Sequence, residues 1–205
     1  MVIADDRIDA CESSLLLTQA RAGDAEAFCE VARAHETRLF RQAVVLCRDE
    51  AVAEDLVAET LLEAWRSLQR FDATCRFSTW LYAILVHRYL KWVRRMASRP
   101  VSLARLPVAE AQRRQQVQEA LPDLRDSPAD VVANQDAAEV MRDAIARLPR
   151  KHQRVLLLRF FEDASLPEIA AALGCPVGTV KSRLHHALEK LRRMKLNLSE
   201  LRGDT

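Results

Sequence analysis

A chain of 205 residues, 49% of them apolar, is long enough for one or two domains with real cores and too apolar to be wholly disordered. Only 4 Gly and 7 Pro stand against abundant Ala, Leu, Arg and Glu, which predicts an all-α protein. The formal net charge of +2 hides an uneven distribution. Residues 1–63 carry 6 Lys/Arg against 14 Asp/Glu, and residues 64–99 carry 8 against 1. Residues 100–146 carry 5 against 8, and residues 147–195 carry 11 against 4. Two basic blocks parted by an acidic one predict two polyanion-binding surfaces on one chain.

No apolar run is long enough to cross a bilayer, and the acidic N-terminus lacks the basic-then-apolar order of a signal peptide, so a cytoplasmic protein is expected. Cys11, Cys29, Cys47, Cys75 and Cys175 are odd in number, scattered, and nowhere form C-x-x-C. Reduced, buried thiols are expected rather than a disulfide framework. Zinc shared with some of the five histidines matches no ligand spacing, and neither a metal nor a cofactor is predicted. The chain shows no Ser/His/Asp set, glycine-rich phosphate loop, H-E-x-x-H or paired-carboxylate motif, which argues against an enzyme.

In chain order, residues 1–14 read as a frayed acidic leader and 14–22 as a first helix, ended by a turn at Gly23-Asp24. Asp24 can cap a helix through Phe28, Val31 and Ala32 towards Leu39, Val44 and Leu46, with residues 48–50 as the next turn. Residues 51–68 keep a 3,4 apolar repeat without a break through Ala53, Leu56, Val57, Thr60, Leu61, Ala64, Trp65 and Leu68. Asp55, Glu59, Leu62, Glu63 and Arg66 are left on the outer face. Such a face is either a solvated surface or a dock for a basic partner, and spacing alone does not choose.

Seven of the 11 aromatic residues fall between Trp65 and Trp92. Residues 71–78 read as a loop, and a helix is predicted from Thr79 to about Met96. Trp80, Leu81, Ile84, Leu85, Val86, Tyr89, Leu90 and Val93 cover most of its circumference. His87, Arg88, Lys91, Arg94 and Arg95 form one basic strip. Aromatics beside cations suit single-stranded nucleic acid, where cations track phosphates and rings stack on bases. Most of the rings, Trp65 and Trp80 in particular, are equally suited to filling a core, while the strip is read as a phosphate contact.

From Ser98 to about Ala133 four prolines and a polar stretch dissolve the pattern, leaving a linker with a helical turn at 110–121. A second domain is expected from Asn134. It has helices at 138–148 and after Pro149, the latter with an apolar face of Val155, Leu156, Leu158 and Phe161. Residues 165–193 then read SLPEIAAALGCPVGTVKSRLHHALEKLRR, two helices joined by a sharp turn. Ser165 with Glu168 is a capping box, Gly174 suits a helix end, and Pro176 suits the opening of the next helix. Val180, Leu184, Leu188 and Leu191 face inward, while Thr179, Lys181, Ser182, Arg183, His185 and His186 are the polar residues of the second helix. A tight turn, an apolar inner face and a basic outer face predict a DNA-reading helix-turn-helix. The tail after Lys195 is expected to be loose.

Two blocks of this sequence together carry a family resemblance. The first is DLVAETLLEAWRSLQRFD followed by FSTWLYAILVHRYLKWVRR; the second is LPRKHQRVLLLRFFEDASLPEIAAALGCPVGTVKSRLHHALEKLRR. In tandem they resemble the extracytoplasmic-function (ECF) branch of the bacterial sigma factors, the two-domain initiation subunits of RNA polymerase. The resemblance implies two helical domains, 14–97 (sigma region 2) and 134–196 (sigma region 4), joined by a linker at 98–133. It implies polymerase docking through Asp55, Glu59, Leu62 and Glu63. Minus-ten recognition and strand opening would fall to Phe71, Phe77, Ser78, Thr79, His87, Arg88, Lys91, Arg94 and Arg95. Minus-thirty-five reading would fall to Lys181, Ser182 and His185 at the bases, beside His186, with Thr179 and Arg183 on phosphates. An anti-sigma factor is implied as a further partner. Ala58, Ala83, Val86, His87 and Lys91 depart from the family's usual residues, and they bear on promoter sequence rather than class. A stand-alone regulator with an N-terminal sensing domain is the competing reading; it requires a ligand pocket or phosphoacceptor set in residues 1–99, where the sequence shows none.

Overall fold

The computed structural model describes residues 10–98, 141 and 144–201; the expected linker beyond 98, its helical turn at 110–121 and the domain start at 134 lie outside the described residues. The chain separates into two compact units, Met1–Met96 and Ala97–Thr205. Among the described residues every regular element is helical. No described helix is long and apolar enough to cross a membrane.

In the first unit, α1 (Ala10–Arg21) begins four residues earlier than the sequence predicts. Gly23 turns the chain at a φ of 104°, a conformation open to glycine because it has no Cβ. Asp24 then accepts hydrogen bonds from the amides of Glu26 (2.9 Å) and Ala27 (3.1 Å), which starts α2 (Ala25–Cys47). Arg48 ends α2 in the left-handed region, and Asp49 caps α3 (Glu50–Ser67) by accepting from the Val52 amide at 3.2 Å. A 3-10 turn, Leu68–Arg70, leads to a short loop and α4 (Phe77–Ser98).

The uninterrupted apolar stripe of α3 buries Ala53, Leu56, Val57, Thr60 and Ala64, and the Thr60 hydroxyl satisfies itself by donating to the Leu56 carbonyl at 2.6 Å. The near-complete apolar circumference of α4 also has its reason. Leu81, Tyr82, Ala83, Leu85 and Val86 are all buried, so this helix is covered on most sides. Fully burying such a side chain contributes roughly 1.5–3 kcal/mol.

In the second unit, residues 141 and 144–146 are helical and precede α5 (Arg150–Phe161), α6 (Leu166–Leu173) and α7 (Val177–Leu201). Leu148, Leu156 and Ala187 form a buried cluster against which Ile145, Leu188, Leu191 and Met194 pack. Phe161, expected on the apolar face of α5, is instead exposed, and Leu157 is buried beside Val155, Leu156 and Leu158. The helix ends at Phe161, so that ring lies past the last turn that packs inward. The tail differs too, since α7 continues to Leu201. Expected burial of the thiols is also corrected: Cys29 is exposed, while Cys47, Cys75 and Cys175 are half-buried, and none of these four is in a disulfide.

Candidate nucleic-acid interface

The basic strip of the first unit is shaped by the burial of everything else on α4. With Leu81, Leu85 and Leu90 turned inward, the imidazole of His87 and the long cationic side chains of Lys91, Arg94 and Arg95 are left on the exposed face. Arg88 departs from the expected strip. One residue on from His87 is a rotation of about 100°, and Arg88 accordingly turns to α3. There it donates to Glu63 at 2.6 Å and Glu59 at 3.4 Å, with only 17% of its side chain exposed. The acidic face of α3 is therefore partly spent within the unit, while Asp55 and Leu62 remain exposed, Leu62 at 56%. A groove of about 190 Å³ runs between α3 and α4, with Asp55 and Glu59 on one side, Arg88, Lys91 and Arg95 on the other, and Trp92 in its lining.

For Phe71, Phe77 and Thr79 the expected position faces an unpaired base, but the structure buries all three, at 4%, 8% and 0% exposure. Phe71, Phe77 and Trp80 pack ring on ring at centroid separations of 5.1–5.7 Å, and His35 adds a fourth ring at 5.5 Å from Phe77. Such clustering favours rings at these separations beyond the area they bury. Trp65 packs likewise on Phe28 at 5.1 Å. Helix α4 begins at Phe77, two residues before the predicted start, which draws Phe77 and Ser78 out of the loop. What remains exposed is the short loop ahead of it. Asp72 Oδ1 there accepts from the Thr74 hydroxyl (2.6 Å) and amide (3.1 Å), and these bonds hold its carboxyl below the usual carboxylate range.

In the second unit the helix-turn-helix assembles as its sequence dictates. Ser165 Oγ accepts the Glu168 amide at 3.4 Å, and the Glu168 carboxylate accepts the Ser165 amide at 2.9 Å, closing the capping box. Gly174 sits at φ 60° and donates its amide to Ala170 and Ala171, ending α6. The Pro176 carbonyl then accepts the amides of Thr179 (2.9 Å) and Val180 (3.2 Å), which starts α7. Ile169, Val180 and Ala187 are fully buried beneath the motif. Lys181, Ser182, His185 and His186 are exposed, and Thr179 and Arg183 are half-buried. Arg183 turns back to the hinge, where its Nη1 donates to Cys175 Sγ at 3.8 Å.

Three polar residues of α5 carry weight that the periodicity does not mark. Gln153 is buried and donates through Nε2 to the carbonyls of Ile145 and Ala146 at 2.9 Å each, satisfying a helix end. His152 is 6% exposed and stacks on His186 at 6.3 Å. Burial first, then the charges of Lys151, Lys190, His186 and Arg183, hold its imidazole below the ordinary histidine range. Arg154 is half-buried, and burial, followed by the charge of Arg183, depresses its guanidinium. None of the three has a sequence signal of its own, because they sit together in the polar stretch RKHQR ahead of the apolar run that opens at Val155. Among the described residues no group of three or more His, Cys, Asp or Glu is placed to hold a metal.

The family models agree with this division. Sigma-70 region 2 matches residues 31–99, and Sigma-70 region 4 matches residues 138–191. The ECF RNA polymerase sigma factor SigL of Mycobacterium tuberculosis is 32% identical over 82% of this chain and 86% of its own length. This chain belongs to the ECF sigma factors. The ECF RNA polymerase sigma factor SigW of Bacillus subtilis is similar as well, 28% identical over 89% of this chain and 96% of its own length. The solved structure of CnrH in complex with the cytosolic domain of CnrY shares the fold, with a TM-score of 0.55 and 23% identity over 89% of this chain and 96% of that one. As an ECF sigma factor, the protein is a transcription-initiation subunit whose regions 2 and 4 bind core RNA polymerase and promoter DNA.

Proposed function

We propose that the two regions divide promoter work residue by residue, region 2 opening strands and region 4 gripping duplex. The observation that carries this reading is the pair of exposed basic surfaces, each mounted on a separate compact unit. In region 2, His87, Lys91, Arg94 and Arg95 hold phosphates around the minus-ten element. The exposed loop at 72–76, braced by the buried Phe71, Phe77 and Thr79 and followed by Ser78, holds an unpaired base. Extruding a base costs a few kcal/mol, which contacts in that loop offset. Exposed Leu62, ringed by Asp55, Glu59 and Glu63, docks on the polymerase; an apolar anchor inside a charged rim is the composition of an interface centre. Arg88 holds Glu59 and Glu63 in place for that contact rather than touching DNA.

In region 4, Lys181, Ser182 and His185 reach base edges of the minus-thirty-five element, His186 flanks them, and Thr179 and Arg183 hold phosphates. The domains run over 14–97 and 134–196 with 98–133 as linker, and the polymerase raises the effective concentration of each for its element. The protein works in the cytoplasm and catalyses no reaction of its own. It is held inactive by an anti-sigma factor, a reading supported by the family and by CnrH having been solved with a protein partner.

Transcription in vitro with core polymerase on a randomised promoter library tests this directly. Start sites that require the protein, with two constrained elements spaced for two domains, are the expected result. Core polymerase that neither binds the protein nor initiates with it would overturn the reading.

A further inference from the structure

Among the described residues three that are not glycine adopt a positive φ, and two of them have local reasons. Arg48 closes α2, its amide donating to the Val44 carbonyl at 2.8 Å. Asp163 follows the end of α5 and is of a type that tolerates the left-handed region. Ala73, at φ 59°, has neither reason. Its Cβ crowds the following carbonyl there, and such strain persists only where the surroundings over-determine it. Packing does not provide that hold, because Asp72, Ala73 and Thr74 are all exposed. Two other features do. Phe71 and Phe77, both buried with ring centroids 5.5 Å apart, clamp the two ends of the 72–76 loop together. Asp72 Oδ1 then spans Ala73, accepting from the Thr74 hydroxyl at 2.6 Å and the Thr74 amide at 3.1 Å. One carboxylate oxygen fixes the tip.

The charge of Asp72 is unsuited to its place. Arg70 and Arg76 on either side are cationic and exposed, as befits a surface that meets phosphates. The bonds from the Thr74 hydroxyl and amide favour the ionised form of the Asp72 carboxyl. An anion in that position repels the strand, so what the residue contributes is shape rather than charge. We infer that Asp72 is a positioning residue for strand opening: its side chain fixes the left-handed turn at Ala73, and the loop so shaped receives the unpaired base. The assignment rests on the proposed role of that loop in region 2. A base leaves the stack at a cost, and a loop already in shape offsets it without first being ordered itself.

Asparagine and alanine at position 72 separate shape from charge. Asparagine keeps an acceptor oxygen that supports the same turn, while alanine removes it. Holoenzyme carrying Asp72→Ala should form open complexes several-fold more slowly on duplex promoters. It should also discriminate less among promoters differing only at one minus-ten base, with the melting temperature of the full-length protein nearly unchanged. Asp72→Asn should open promoters as fast as wild type or faster, with the same base preference. Adding Ala73→Gly to Asp72→Ala should recover part of the loss, because glycine adopts the left-handed turn without strain. Asp72→Ala equal to wild type in rate and base preference overturns the inference. So does Asp72→Asn that is as slow as Asp72→Ala or prefers a different base, since the carboxylate then contacts the base itself. Slower opening with a lowered melting temperature marks a residue needed for folding and overturns it too. Replacing residues 72–76 with glycine and serine checks the underlying reading. If that variant opens promoters with wild-type rate and base preference, the loop holds no base and the role given to it in region 2 fails. If that variant is impaired while Asp72→Ala is not, only the positioning role falls.

Discussion

Regions 2 and 4 both present basic surfaces, but they form them in opposite ways. In region 2 the bearing helix, α4, is buried on most sides, and its cations emerge along one narrow face. One of those cations, Arg88, is turned inward and bound to two carboxylates of α3. In region 4 the bearing helix, α7, is amphipathic, with Val180 and Ala187 buried and its polar face open. There two cations, Arg154 and Arg183, are left without acids among the described residues. Equal charge in a stretch of sequence thus yields internal ties in one domain and unspent donors in the other. The difference lies in which side of the helix the core claims.

The largest test of that contrast is thermodynamic. Leu85→Ala on the enclosed helix should destabilise region 2 by about 2–5 kcal/mol, the range for emptying a fully buried leucine site. Leu184→Ala on the half-covered α7 should cost clearly less. Trp65, Trp80 and Trp92 all lie in region 2, so urea unfolding followed by tryptophan fluorescence reports that domain. The first variant should shift the transition and the second should leave it in place. The next effect is on promoters. Lys181→Ala should lose about 1–3 kcal/mol of discrimination at the minus-thirty-five element alone, measured as initiation from promoters differing only there. Arg94→Ala should instead slow open-complex formation on all of them and soften the salt dependence.

Smaller effects sharpen the same contrast. Arg88→Met should cost up to about 1 kcal/mol in the same urea experiment, because its partners are partly solvated and screened. It should leave the salt slope of promoter binding unchanged, as expected of a cation spent inside the protein. In region 4, His152 is held below its ordinary range, so the unfolded chain binds a proton more readily than the folded one. Stability is then fully present above the ordinary histidine value of about 6.5 and declines as the pH falls through it. Melting curves by circular dichroism from pH 7.5 to 5 should show this decline, and His152→Gln should flatten it.

Much of this architecture is legible in the sequence because it is written in local rules. The Ser165–Glu168 box, the left-handed Gly174 and the Asp24 cap each act within a few residues, so sequence and structure agree on them. The apolar repeat of α3 is equally direct. Phe71, Phe77 and Thr79 depart from expectation because aromatic residues beside cations describe a core and a base-stacking platform alike; only the packing of Phe71, Phe77 and Trp80 distinguishes the two. Arg88 departs by one step of helix rotation, a difference that depends on where α3 lies. Gln153 is invisible to periodicity, since it sits in a polar stretch and its role comes from the carbonyls of Ile145 and Ala146 at the end of the preceding helix.

The division of labour between the two domains is tested most directly by run-off transcription on paired templates, one fully duplex and one with the minus-ten region already mismatched open. On the duplex template both Arg94→Ala and Lys181→Ala should initiate poorly. Opening the bubble in advance should restore Arg94→Ala and leave Lys181→Ala impaired. Equal rescue of both variants, or rescue of Lys181→Ala alone, would contradict the account.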